Sequence, residues 1–492
     1  MTMIRTMRSR ADAPTAWRLL PVVALPLLLA ACGSLNVPRT QATPRPLAEQ
    51  VTAQWQAPLP HGGSLGALDQ WWQSWQDPLL AELVSAAQRV SPTLSAARSQ
   101  LEQARATRQT AAAALLPTLD GSTSITRGTA QFPRPLNTTR LFGLETAWEA
   151  DLFDGNQFAE RAAAQRLQGA QAQWHDARVS VAADVALQYI ALRHCERQRA
   201  LAQDELASLQ ESARLIAQAA AAGLVAPTSA AAAQAAAAES AARLSQQRAQ
   251  CEVDIKTLVA LTGITEAALR ERLGARTPAA VAWPTPALPA LSQVPLQVIS
   301  QRPDVFAAER DIVAARADIG TAQALRLPRL SLAGSITALG TRVGDSAFNL
   351  NAWSIGPLRL RLPLFDGGTG QANVQAALAR HEDAVTQYEA RVRQAVREVE
   401  EALVQIDAVA QRMQQAREAA QAHARVLQAV TARQRAGLAS RIDVEEARRA
   451  TLLAESTLTA LQRESVAAAV ALYRASGGGW RPESNTAPAA QR

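Results

Sequence analysis

"AAGLVAPTSAAAAQAAAAESA" occupies residues 221–241, and "RAGLASRIDVEEARRATLLAES" occupies residues 435–456. Each sets an Ala-Gly-Leu step before a run of strong helix formers, and the two steps lie 214 residues apart. Glycine ends helices because it enters the left-handed region without steric cost. Each stretch therefore reads as a turn between two helices, and saying it twice points to an internal duplication. Two more pairs bear this out: "LLPTLDGSTSI" (115–125) answers "RLPRLSLAGSI" (326–336), and "ADLFDGNQF" (150–158) answers "LPLFDGGTG" (362–370). All three pairs keep one order, at offsets of 211 to 214 residues.

Each half then reads helix, two strands, long helix, turn, helix. In the first half, helical patterning runs from Asp77 to Leu115 and stops at Pro117, where the missing N–H ends the ladder. Strands are expected at 118–128 and 141–153, a long helix at 157–221 and a shorter one at 227–261, opened by Pro227. The second half repeats this with helices at 296–326, 369–435 and 441–475. Each long helix is about 65 residues, or about 100 Å. Two short ones end to end match it, which implies a rod of constant thickness. The expected segments are 1–31, 32–76, a first repeat at 77–263, a Pro-rich linker at 264–295, a second repeat at 296–475 and a tail at 476–492.

The strands carry a different signal. In "LFGLETAWEADLF" (141–153), Phe142, Leu144, Thr146, Trp148, Ala150 and Leu152 share one face, while Glu145, Glu149 and Asp151 take the other. Apolar-out, acidic-in alternation with a tryptophan is the pattern of a transmembrane barrel strand, and also of a half-buried soluble one. In "NAWSIGPLRLRLPLF" (351–365), Trp353 and Ile355 lie on one parity and Leu358, Leu360, Leu362 and Leu364 on the other. A bulge at Gly356-Pro357 would reset the phase. Four strands cannot close a membrane barrel, and open edges cannot face lipid. Oligomerisation follows, and three copies would supply twelve strands.

Composition narrows the function. Aromatic residues are only 4% of the chain, and Ala, Gln, Arg, Leu and Glu dominate, as in long packed helices. The formal charge of +7 falls to +4 without residues 1–31, which carry four arginines and one aspartate. The remaining arginines alternate with Glu and Gln, which excludes a nucleic-acid footprint. Lys256, the single lysine, has no glycine loop before it, the five histidines are scattered, and no HExxH or GxSxG occurs. No enzyme or metal site is expected on these grounds. The N-terminus has a basic region followed by "LLPVVALPLLLAAC" (19–32), too short to span a membrane and of signal-peptide form. Leu29-Ala30-Ala31-Cys32 resembles the lipobox, where cleavage precedes a cysteine that becomes lipidated; the bland alternative is an ordinary signal peptide with an incidental cysteine.

With these landmarks in place, the chain closely resembles the TolC-type outer-membrane efflux factors, in their lipoprotein (NodT-like) branch. The resemblance rests on "WWQSWQDPLL" (71–80), "WEADLFDG" (148–155), "QRPDVFAAERDIVAARADIG" (301–320), "LPLFDGG" (362–368), "RAGLASRIDVEEA" (435–447) and "LYRASGGGW" (472–480). It implies a homotrimer with a twelve-stranded outer-membrane barrel on a periplasmic helical tunnel, anchored in outer-membrane lipid and lipidated at Cys32. It further implies docking to a periplasmic adaptor and an inner-membrane pump of the RND type, with no cofactor, and a belt formed by residues 276–295 and the termini. Met413 is the one methionine left after residue 31. Organic toxicants or antimicrobials are therefore the expected cargo, with type I protein secretion or heavy-metal efflux as alternatives.

Two sets of site residues follow. Cys195 and Cys251 are equidistant from Gly223, so an antiparallel helix pair turning there would set them at one height and let them bond. The alternative is two buried free thiols. Gly437 marks the second turn, beside Arg435, Arg441, Asp443, Glu445 and Glu446. By resemblance, Asp443 and Glu446 stand where the family places its pore-constricting carboxylates; their mutual repulsion would have to be offset by Arg435, Arg441 or cations. Ser440 and Asp443 equally fit a capping box.

Overall fold

The protein is described by a computed structural model covering residues 43–57, 71, 75, 77–129, 136–274 and 295–480. In chain order its helices and strands are α1 (Leu47–Gln50), α2 (Pro78–Val90), α3 (Pro92–Ala113), β1 (Thr118–Gly128), β2 (Asn137–Ala150), α4 (Gly155–Ala221) and α5 (Pro227–Thr262). There follow α6 (Glu266–Gly274), α7 (Pro295–Ile299), α8 (Pro303–Ala324), β3 (Arg329–Val343), β4 (Ser346–Arg361), α9 (Thr369–Arg435) and α10 (Arg441–Ala475). The duplication is explicit: α4 and α9 are each 67 residues long, and α5 and α10 are 36 and 35.

Four expectations need correction. The helix expected over 77–115 is two helices, because Pro92 cannot donate into a continuous ladder and Ser91 caps the second, accepting from the Leu94 N–H at 3.3 Å. The helix expected over 296–326 is likewise broken, before Pro303. The strand expected at 141–153 runs instead from Asn137 to Ala150, because Leu152 N–H turns back to the Ala150 carbonyl and Asp154 takes a positive φ of 58°. The linker expected from 264 opens with α6, which buries Leu269 and Leu273.

The long helices end alike. Leu224 N–H donates to the Ala219 carbonyl and Gly223 N–H to that of Ala220; Leu438 N–H and Gly437 N–H do the same to Arg433 and Gln434. This pair of bonds closes a helix on one left-handed residue, and the two glycines sit at φ 74° and 78°. Restarting differs. Pro227 opens α5 with no side-chain cap at Ala226, whereas Ser440 and Asp443 form a reciprocal capping box on α10.

Contacts divide the chain into two compact units that do not follow the repeats. One holds Thr118–Gly155 and Ile319–Gln375, which contain the sheet; the other holds the remaining described residues. Each repeat contributes to both, two strands to one and helices to the other. Within the helical unit, large apolar side chains concentrate in two cores. One gathers Leu80, Leu83, Val185, Tyr189, Leu258 and Tyr473, the other Val298, Val392, Val399, Leu403 and Leu472. Neighbouring α10 residues, Leu472 and Tyr473, serve one core each. Two sequence landmarks meet here: buried Arg302 donates to the Ala475 carbonyl at 2.9 Å and to Glu398 at 2.7 Å. A Cβ at Gly478 would collide with the Val179 side chain, which explains a glycine there.

Small polar residues are buried outside these cores, as well as large apolar ones such as Leu244 and Leu461. Ser208 and Ser212 of α4 and Ser240 of α5 are buried. Ion pairs set the heights: Arg243–Glu205 is centred on residue 224, and Arg412–Glu464 on residue 438. Both short helices therefore run antiparallel to the long helix of their own hairpin.

Candidate functional site

The sheet is an antiparallel meander in the order β1-β2-β3-β4, with β1 and β4 at its edges. Its register assigns every side chain to a face. Trp148 pairs with Leu332, which pairs with Leu358; Leu144 pairs with Ile336, which pairs with Trp353. One face thus carries Leu119, Phe142, Leu144, Trp148, Leu332, Ile336, Trp353, Ile355, Leu358 and Leu360. The opposite face carries Asp120 against Glu145, Glu145 against Ser335 and Ser335 against Ser354, together with the Arg329–Glu149 ion pair at 2.7 Å.

The bulge keeps the apolar face continuous. Leu332 and Gly334 are two residues apart on β3, while their partners Leu358 and Ile355 are three apart on β4. The extra residue falls at Gly356-Pro357, so the parity change of the sequence leaves Trp353, Ile355, Leu358 and Leu360 on one side. These side chains are not covered by the chain: Trp353 is 75% exposed and Ile355 80%. Leu152, expected on this face, falls beyond the end of β2. A sheet that is apolar and bare on one side and acidic and hydroxylated on the other suits a wall between lipid and water. Among the described residues no helix is long and apolar enough to cross a membrane.

The helix tips form the second site. Asp443 Oδ2 accepts from the Ser440 N–H at 2.8 Å, and Ser440 Oγ accepts from the Asp443 N–H at 3.1 Å. The Ser440 backbone bond, then its hydroxyl, hold the Asp443 carboxyl below its ordinary range. Asp443, Glu446 and Arg435 are exposed, on one short stretch of the tip. Arg441 turns elsewhere: it pairs with Glu211 of α4 at 3.3 Å and not with the two carboxylates it was expected to offset. Among the described residues no group of three or more His, Cys, Asp or Glu could hold a metal ion.

Cys195 on α4 and Cys251 on α5 are joined in the structure, with Cα atoms 5.5 Å apart. Cys32 and residues 1–31 lie outside the described residues, as does the Pro-rich stretch up to residue 294.

The sequence reading missed the contact that ties one hairpin to the other. Ser208 Oγ of α4 donates to the Glu445 carbonyl of α10 at 3.2 Å, and Arg449 donates to Ser212 Oγ at 2.9 Å. Farther along, Gln198 meets Ser456, and Arg474 lies 3.7 Å from Asp184. Falling numbers on one helix match rising numbers on the other, so α4 and α10 run antiparallel. A legible signal existed: two serines four apart on a long helix give one face on which a neighbour can settle closely.

The model of the family "Outer membrane efflux protein" matches residues 83–264 and 294–478. The pyoverdine export outer membrane protein OpmQ of Pseudomonas aeruginosa is 27% identical, over 94% of this chain and 97% of that one. The toluene efflux pump outer membrane protein TtgI of Pseudomonas putida is 28% identical, over 95% of this chain and 99% of that one. The solved outer-membrane channel OprN superposes with a TM-score of 0.73 at 27% identity, covering 90% of this chain and 98% of its own. With a membrane-type sheet, paired helical hairpins and a match across both repeats, the chain belongs to the outer membrane efflux protein family and is an outer-membrane channel component, not an enzyme.

Proposed function

We propose that three copies of the chain form the exit duct of a tripartite efflux system. One observation carries the reading: a four-stranded sheet with two open edges and a bare apolar face. An unpaired strand edge in lipid costs several kcal/mol per group, and four strands are too few to close. Pairing β4 of one copy with β1 of the next removes every edge. Three copies give twelve strands around a lumen lined by Asp120, Glu145 and Glu149. Lipid on Cys32 would anchor each copy beside the barrel.

The helices of three copies would extend the lumen into the periplasm. Three Asp443 and three Glu446 then surround one axis and restrict it at the tip. Leu224 and Leu438, 77% and 68% exposed beside the two glycine turns, offer apolar contacts to a periplasmic adaptor, which couples the duct to an inner-membrane pump of the RND type. The relatives named for pyoverdine export and toluene efflux support small organic cargo, as does a mature chain with a single methionine.

Native mass measurement of the purified protein, followed by planar-bilayer recording, tests the duct. A trimer with discrete conductance steps is expected. A stable monomer, or a trimer that conducts nothing, overturns the reading. Mass spectrometry of the mature N-terminal peptide tests the anchor, with an unmodified terminus as the contrary result.

A further inference from the structure

The apolar face of the sheet changes character at one end. The strands enter and leave the helices at the end holding Thr118, Ala150, Arg329 and Arg361, and the far end holds Gly128, Asn137 and the Gly344-Asp345 turn. Counting rows on the apolar face towards that far end, Phe142 stands beside Thr123, Ala338 and Asn351. The next row is Ile125, Arg140, Gly340 and Asn349, and the last is Arg127, Thr138, Arg342 and Ala347. The final two rows thus hold three arginines, no carboxylate, and a glycine that leaves the surface open beside Arg140. All three arginines are exposed. On the opposite face the same end turns apolar, with Leu141 against Leu339 and Leu339 against Leu350.

Geometry places this cluster at one depth. The apolar run from Phe142 to Ala150 spans about 27 Å of strand, or about 20 Å of height at a tilt near 40°, close to a full barrel band. Arg140 then lies about 5 Å above Phe142, and Arg127 and Arg342 about 10 Å above it, within the headgroup layer. Neighbouring strands and alternate residues put the three Cα atoms about 8 to 10 Å apart. Three guanidinium groups at that spacing can converge on one phosphate, which they match by paired N–H donors.

We propose that Arg127, Arg140 and Arg342 form a binding site for the phosphorylated headgroup of an outer-leaflet lipid. The site lies on the lipid side of the barrel and continues its apolar band outward. It rests on the duct reading, since it needs this face in the membrane. Acyl chains lie along Phe142, Leu144 and Trp353 while the phosphate meets the arginines above them. The occupant is an intact lipid rather than a free anion, because the basic rows adjoin the apolar ones without a break.

The full-length protein in phosphatidylcholine nanodiscs carrying diphosphoryl lipid A provides the test, with lipid retention read by native mass spectrometry. Wild type should hold diphosphoryl lipid A at least tenfold more tightly than its dephosphorylated form. The variant R127Q/R140Q/R342Q should lose that preference, and R127K/R140K/R342K, which keeps the charge without the paired donors, should keep only part of it. R359Q/R361Q, which removes charge from the opposite face, should keep all of it. An unchanged preference in the glutamine variant, or equal loss in R359Q/R361Q, overturns the site. So does displacement of the lipid by millimolar inorganic phosphate, which would mark a free-anion site. Should the triple variant fail to assemble, R127Q and R342Q singly are each expected to lower the preference about threefold, and no change in either counts against the site. Conductance read on the same samples separates the two proposals: a conducting assembly with no phosphate preference sinks the lipid site alone, and one that never conducts sinks the duct.

Discussion

Arg441 at the first turn of α10 reaches Glu211 of α4 at 3.3 Å, joining the tip of the second hairpin to the first. Beside this partly exposed pair lies a more buried contact of different character, Ser208 to the Glu445 carbonyl and Arg449 to Ser212. Exposed ion pairs are screened by salt, whereas close packing is not. Arg441→Ala should therefore give a small rise in conductance that high salt mimics in wild type. Ser208→Leu, which overfills a closely packed face, should loosen the tip far more and independently of salt. Hydrogen bonding from Arg214, with the charges of Arg214 and Arg441, holds the Glu211 carboxyl below its ordinary range. A depressed carboxylate keeps its pair at neutral pH and loses it only as pH falls through the lowered value. Bilayer recordings from pH 7 downward should show no loosening until below the usual carboxylate range.

The Cys195–Cys251 bond closes a loop of 56 residues in sequence separation, which the chain-entropy relation values at about 4 kcal/mol of stability. Both cysteines are buried, so their alanine variants also lose some packing. Oxidised protein made in the periplasm should show no free thiol after denaturation without reductant. Reduction should lower its thermal transition without shifting that of C195A/C251A. Two labelled thiols in unreduced protein would rule the bond out.

Much of this architecture was legible because its determinants are local. Gly223 and Gly437 end helices by backbone conformation alone, and Pro92, Pro117 and Pro227 punctuate by a missing N–H. Strand alternation around Phe142 and Trp148 matches the sequence parity, and the parity break at Gly356-Pro357 is a bulge. What stayed hidden depends on distant partners. The sequence around Arg441 offers Asp443 and Glu446 nearby, yet its partner is Glu211, 230 residues away. Alanine-rich helices explain this difficulty: with little amphipathic contrast, a sequence does not say which face meets which neighbour.

Asp443 has two roles on offer, and Ser440 separates them. Asp443→Ala removes a charge and half of a capping box, while Ser440→Ala removes the other half and no charge, at a typical cost of about 1 kcal/mol of local helix stability. Glu446 belongs to no cap. In the assembled trimer, D443A/E446A should raise single-channel conductance and weaken block by divalent cations. Glu446→Gln should share the weaker block, and Ser440→Ala should not. If Ser440→Ala reproduces the whole effect, the carboxylate is a helix cap and the constriction lies elsewhere.

The bulge makes the most demanding prediction. Because strand side chains alternate, removing one residue moves everything on one side of the deletion to the opposite face. At present Trp353 and Ile355 share the apolar face with Leu358 and Leu360 only because β4 has one residue more than β3 between Leu332 and Gly334. Deleting Pro357 forces a choice. Either Leu358 and Leu360 turn into the lumen with Arg359 and Arg361 facing lipid, or Trp353 and Ile355 turn inward with Ser354 outward. Two arginines near the inner end of the lipid face carry a charge penalty that Ser354 does not. The second outcome should win in any chains that fold, leaving a barrel short of its aromatic side chain at Trp353. The expected result is loss of heat-resistant trimer in outer-membrane fractions. Pro357→Ala, which keeps the residue count, should still assemble. Trimer yields equal to wild type in the deletion would show that the sheet closes without this register, contrary to the pairing of Leu332 with Leu358.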